Sequence, residues 1–283
     1  MKYTTLVSVS DLAAHLDDVA WVVCDCRHDL VKTAVGREAY AQAHIPGARF
    51  VQVDNDLSAP LTGRNGRHPL PDPVKFVARL GELGIDNAKQ VVTYDASGSA
   101  YAARLWWMLR WVGHESVAVL DGGWNAWTAA RQRVTAESPA VTPLRFSPTY
   151  RMDLARDAAA LISGPDKRRP ILVDARSPDR FRGENETLDP VAGHIPGARN
   201  RFFRLNLGTD GRFKPATALR AEFNELLGAT TPSDVVHYCG SGVTACHNLL
   251  AMEIAGLAGS RLYPGSWSEW IADRSRPVAT GNV

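Results

Sequence analysis

The chain is poor in the features that mark membrane, nucleic-acid-binding or disulfide-stapled proteins. No apolar run in its 283 residues approaches the ~20 needed to cross a bilayer. Lys and Arg number 32 against 30 Asp and Glu, giving a net charge of +2 with no basic run. That balance argues against a nucleic-acid partner. Four cysteines without a CxxC pair make neither a disulfide framework nor a metal knuckle. No ligand cluster and no phosphate-loop sequence occur, so neither metal nor cofactor is expected. The opening Met1-Lys2-Tyr3-Thr4-Thr5 lacks a signal-peptide core, which predicts a cytoplasmic protein without a membrane partner. What remains, 45% hydrophobic and 22% charged, is the composition of a globular protein long enough for two domains.

What the chain does have is repetition. His44-Ile45-Pro46-Gly47-Ala48-Arg49 returns unchanged as His194-Ile195-Pro196-Gly197-Ala198-Arg199. Ahead of each copy an apolar strand ends in Asp-x-Arg, as Asp25-Cys26-Arg27 and Asp174-Ala175-Arg176. Behind each copy a second strand follows, Val91-Val92-Thr93-Tyr94 and Val235-Val236-His237-Tyr238. Each half closes on Gly-x-Trp-x-x-Trp, with Trp124 and Trp127 in the first and Trp267 and Trp270 in the second. Four landmarks in one order predict two tandem domains, at 1–132 and 151–283, rather than a solenoid. Residues 133–150, with Pro139, Pro143 and Pro148 and little periodicity, read as the linker. Strands at 20–24 and 116–120 alternate with helices at 74–83 and 100–111, the pattern of an α/β fold with a parallel sheet covered on both faces. Cys24 and Cys26 alternate within a strand and read as packing residues.

Cys239 stands apart. An apolar strand leads into Cys239-Gly240-Ser241-Gly242-Val243-Thr244-Ala245, and a helical pattern follows. Glycines let the backbone turn tightly, so that successive N–H groups point at one spot beside the sulfur. The positive end of the following helix adds to this, and both effects favour a thiolate. A Cys-dependent phosphatase would use the same cradle, but it needs an arginine six residues after the cysteine to clamp phosphoryl oxygens. Ala245 stands there. A catalytically silent sulfur-binding scaffold suits the first half, where Asp95 aligns with Cys239, but not the second. Cys246 is expected to be a small buried hydrophobe.

These motifs resemble the two-domain rhodanese-like sulfurtransferases over nearly the whole chain, and the cysteine loop is closest to the 3-mercaptopyruvate sulfurtransferase branch. The resemblance implies two rhodanese-like domains, the first inactive and the second catalytic. It implies that Cys239 carries a sulfane sulfur as a persulfide, with the loop N–H groups of Gly240, Gly242, Val243 and Thr244 around it. Ser241 is the expected proton carrier, supported by His68 and Asp54 of the first half. Arg180, in Asp179-Arg180-Phe181-Arg182-Gly183, takes the place of a donor-binding arginine. His44 and His194 are expected to hold the fold, and Arg176 to pair with Asp174. Acceptors would be cyanide in an assay, or a thiol such as glutathione or thioredoxin in a cell.

The loop carries no cation, whereas the thiosulfate-preferring branch carries an Arg-Lys pair there. That favours 3-mercaptopyruvate as donor, with thiosulfate the alternative. Against it, the branch usually has a second arginine ahead of Gly-His-Ile-Pro, and Asp189 stands about where it would be. Asp189 is expected to repel a carboxylate, leaving Arg182, Arg201 or Arg204 as substitutes.

Overall fold

The computed structural model describes residues 2–162 and 170–282. They form two compact units. The first comprises Met1–Ala59, Pro71–Arg151 and Asp210–Arg212, and the second Pro60–Leu70, Met152–Thr209 and Phe213–Val283. The units change over at Arg151, with two short exchanges. Pro60–Leu70, which carries His68, belongs to the second unit although it precedes the boundary by some eighty residues in sequence.

The first unit is built on β1 (Leu6–Val7), β2 (Trp21–Asp25), β3 (Arg49–Phe50), β4 (Gln90–Tyr94) and β5 (Val117–Leu120). They form a sheet in the order β1-β5-β4-β2-β3, and every pairing is parallel. β4 is buried at every residue, as expected of a central strand covered on both faces. The helix Pro73–Glu82 starts where Asp72 accepts the N–H groups of Val74 and Lys75 and Pro73 fills a position needing no donor. It buries Phe76 and Leu80, one turn apart, while Val74 lies outside. The helix Ala102–Trp111 buries nine of its ten residues, so it is covered all round rather than along the Leu105–Met108–Leu109 ridge alone. Residues 133–150 run without helix or strand along this same unit. His44 and Thr135 exchange backbone hydrogen bonds, Leu144 N–H donates to Gly81 O, and Phe146 is buried.

The second unit repeats the plan with β6 (Ile171–Asp174), β7 (Arg199–Asn200), β8 (Val235–Tyr238) and β9 (Arg261–Leu262), ordered β7-β6-β8-β9 and again parallel. Each unit is thus an α/β domain with a parallel sheet flanked by helices. The repeated motifs do repeated structural work. Arg27 pairs with Asp25 at 2.6 Å and Arg176 with Asp174 at 2.6 Å, all four buried. Each guanidinium also lies over an indole, Trp124 at 4.4 Å and Trp267 at 4.8 Å from the ring centre. Removing one partner of such a buried pair would strand a charge. His44 Nδ1 bonds Tyr40 O and His194 Nδ1 bonds Phe181 O. The Ile45 and Ile195 N–H groups donate to the Tyr94 and Tyr238 hydroxyls. Both histidines are therefore spent on holding the backbone.

Candidate active site

The carboxyl end of β8 delivers Cys239 into a loop pinned on one side by the turn that follows β9. Cys239 N–H donates to Ser266 Oγ at 3.1 Å. Cys239 O accepts from Trp267 N–H, and Gly240 O from Ser268 N–H. Gly242 has φ +78°, and a Cβ on it would lie 2.2 Å from Pro264 O. Only glycine fits there, both for its conformation and for the neighbouring backbone. This turn aims Gly242 N–H at Cys239 Sγ, 3.2 Å away. The N–H groups of Gly240, Ser241, Val243 and Thr244 bond no other described residue. The helix Ala245–Ile254 starts immediately afterwards. The result is a buried sulfur that accepts one loop N–H, that of Gly242. Cys246 lies in the first turn of that helix, its Sγ bonded to Gly242 O at 3.4 Å.

Ser241 Oγ and His68 Nδ1 are 2.7 Å apart and both residues are buried. The structure thus unites Cys239, Ser241 and His68 within the second unit. Asp54 belongs to the first unit, on the short helix Val53–Asp56, where its carboxylate faces His28 Nε2 at 3.9 Å.

Arg180 lies beside the loop in the grip of two acids. Its Nε and Nη2 bond Glu186, with Nη2 at 2.8 Å, and Nη2 also reaches Asp189 at 3.1 Å. The proposed substitutes have other partners. Arg182 pairs with Glu184, Arg201 with Glu222 and Asn206, and Arg204 lies over Phe203. The cation that meets Asp189 is Arg67, which sequence reasoning passed over. Burial lowers its pKa from the usual arginine value, and the largest opposing influence is the charge of Cys239. Asp189 accordingly does not stand as a bare repelling charge: it bridges two guanidiniums. Two signals were available in the sequence, an arginine adjoining the singled-out His68 and an acid at 189 that burial would oblige to find a cation.

A second missed residue is Ser266. It is fully buried with φ +53°, a strained value for a residue with a side chain. Its counterpart in the Gly-x-Trp-x-x-Trp motif, Gly123, has φ +55°. The serine accepts Cys239 N–H and donates to Tyr263 O.

In the first unit the equivalent cradle is filled by its own side chain. Asp95 is buried at the end of β4 and accepts four backbone N–H groups, from Ser97, Ser99, Tyr101 and Ala102, at 2.7–2.9 Å. Burial still raises its pKa. Cys24 and Cys26 are buried as well, and burial pushes the Cys24 thiol up to about 12, so neither offers a ready thiolate.

A cysteine in an N–H cradle at the carboxyl end of a parallel strand, in a fold written twice, defines a class that comparison with known proteins identifies. The rhodanese-like domain profile matches residues 8–130 and 155–273, and the chain belongs to that family. It is 46% identical over 284 residues, all of both chains, to a probable 3-mercaptopyruvate sulfurtransferase of Pseudomonas aeruginosa. It is 39% identical over 251 residues to a putative thiosulfate sulfurtransferase of Mycobacterium tuberculosis, covering 88% of this chain and 87% of that one. The solved 3-mercaptopyruvate sulfurtransferase of Leishmania major superposes with a TM-score of 0.84 at 31% identity, over 94% of this chain and 74% of the other. The activity is that of a sulfurtransferase. Among the described residues no helix is long and apolar enough to cross a membrane.

Proposed function

We propose that the chain moves a sulfane sulfur from 3-mercaptopyruvate to cyanide or a thiol through a persulfide on Cys239. The observation that carries this reading is the Gly242 N–H directed at the buried Cys239 Sγ. The thiolate attacks the donor sulfur and the carbon–sulfur bond breaks. The electron pair goes to carbon as the pyruvate enolate, which takes up the proton released from the donor thiol. Cys239 is left as an anionic persulfide, and pyruvate departs. The Ser241 hydroxyl, backed by His68 at 2.7 Å, carries that proton. The N–H groups of Gly240, Gly242, Val243 and Thr244 hold the terminal sulfur anion as an oxyanion hole holds oxygen. The acceptor then attacks that sulfur and restores the thiolate. Glutathione or thioredoxin would serve in the cytoplasm, where thiols stay reduced.

Arg180 receives the donor's carboxylate through Nη1, the guanidinium nitrogen that Glu186 and Asp189 do not engage. From the family resemblance we also assign Asp54 a supporting role, which Asp54→Asn tests by its kcat. We read the first unit as catalytically inactive, because Asp95 offers no nucleophile. Mass spectrometry after donor treatment should find one added sulfur on the peptide holding Cys239. Cys239→Ser should fold normally and lose turnover; retained turnover would reject the mechanism. With cyanide as acceptor, kcat/KM should be higher for 3-mercaptopyruvate than for thiosulfate. The reverse order would reassign the donor and leave the persulfide chemistry standing.

A further inference from the structure

We propose that a cavity in the first unit, at the amino end of its sheet, is a binding site for a small organic carboxylate, with Arg49 as the cation that takes it. The cavity has a volume of about 370 Å³ and lies beside Trp21 and Arg49, the first residues of β2 and β3. Asp95 follows β4 at the opposite, carboxyl end of this sheet, so the cavity is separate from the cradle that Asp95 fills. Leu16, Trp21, Val23 and Leu144 give it an apolar wall, and Arg49 and Lys89 a cationic one. Its volume is that of a small-molecule pocket.

The sequence repeat shows how Arg49 departs from its counterpart. Arg199 spends Nη1 on the carbonyl of Leu226, near the end of the helix Ala216–Leu227. In the first unit the corresponding helix, Pro73–Glu82, is met by the chain near residue 144 instead, where Leu144 N–H donates to Gly81 O. Arg49 Nη1 turns back to Gly47 O at 3.2 Å. Its Nε is buried and, like Nη2, has no acceptor among the described residues. A buried cationic donor without an acceptor is costly, and a bound anion removes that cost. Nε and Nη2 form the side-on edge of the guanidinium, which matches the two oxygens of one carboxylate. That edge meets the cavity wall at bare backbone: Gly84 lines the cavity, and a Cβ on it would lie 3.6 Å from Arg49 Nη2. The surrounding charges set the ligand class. Lys89 Nζ donates to Val19 O at 2.6 Å, and Asp17 pairs with Arg133 at 2.8 Å. With Arg49 and Asp18 added, three cations face two carboxylates, one positive charge in excess. A monoanion with an apolar body matches that excess and covers the Leu16 and Trp21 side. A bare multivalent oxyanion does neither.

The test is a fluorine NMR titration of the whole chain with 4-fluorobenzoate and its uncharged isostere 4-fluorobenzamide. The acid should bind wild type with a Kd on the order of 1 mM, the scale of a ligand this small, and the amide about tenfold more weakly. Arg49→Met should weaken the acid about tenfold and leave the amide unchanged. Arg49→Lys, which keeps the charge and loses the side-on edge, should weaken the acid about threefold and serves if Arg49→Met folds poorly. Arg180→Ala should bind the acid as wild type does, and inorganic phosphate should displace it only at higher concentration than benzoate. Equal binding of the acid by wild type, Arg49→Met and Arg49→Lys would overturn the proposal, as would a wild type that does not bind it. Loss of binding in Arg180→Ala would overturn it too, by moving the ligand to the cysteine site. Phosphate displacing the acid more readily than benzoate would overturn the ligand class.

Discussion

Adding one methyl group at either glycine of the cysteine loop should give two different failures. At Gly242 the methyl meets backbone: a Cβ would lie 2.2 Å from Pro264 O, and φ is +78°. The left-handed conformation alone costs about 1–2 kcal/mol for a residue with a side chain. Relieving the overlap means moving Pro264 by roughly an ångström or more. That turn is tied to the loop by the bonds from Tyr263 N–H to His237 O, Trp267 N–H to Cys239 O and Ser268 N–H to Gly240 O. The sum is about 3–5 kcal/mol, in the range of an overpacked core site with added backbone strain. For a unit of this size that is a fall in Tm of about 10 °C. At Gly240 φ is not positive, and the atoms nearest the methyl would be the tips of Arg67 and Arg180. Those side chains can swing aside, so Gly240→Ala should keep its Tm within about 2 °C while KM for the anionic donor rises roughly tenfold. Calorimetry and donor-saturation kinetics on the two variants separate the outcomes. A Gly242→Ala protein that melts like wild type would refute the close approach of the loop to Pro264. A large loss of Tm in Gly240→Ala would refute the assignment of its neighbours as yielding side chains.

Two further outcomes follow from buried groups. Asp95→Ala would leave four backbone N–H groups of the first unit unpaired, and should cost at least about 3 kcal/mol in denaturant unfolding; Asp95→Asn, with one acceptor oxygen left, should lose less, and equal stability of all three proteins would refute the cradle. Burial lowers the His237 pKa to about 3, so on acidification below the unfolded value of about 6.5 only the unfolded chain gains this proton and folding stability falls. Between pH 7 and 5 the wild type should lose about 2 kcal/mol more than His237→Leu, and parallel pH profiles would refute a buried neutral imidazole.

The doubled plan, the α/β alternation, the paired Asp-x-Arg ends and the cysteine loop are all legible in the order of the residues. These signals are local. Apolar runs declare strands, Asp25 and Arg27 or Asp174 and Arg176 meet across two residues, and a glycine-rich turn after a strand shapes its own N–H cradle. How the charges assemble is set by long-range packing. Ser241 and His68 meet across 173 residues and Arg67 and Asp189 across 122, and no periodicity or spacing encodes such an encounter. Asp189 shows the consequence. As a lone carboxylate it argues against an anionic donor, but paired with two guanidiniums its charge is met within the fold, because the effect of a buried charge depends on the partners folding supplies. The packing of Pro60–Leu70 into the second unit belongs to the same category. Its membership is set by hydrogen bonds such as Arg67 to Ser268 and His68 to Ser241, not by its place in the chain.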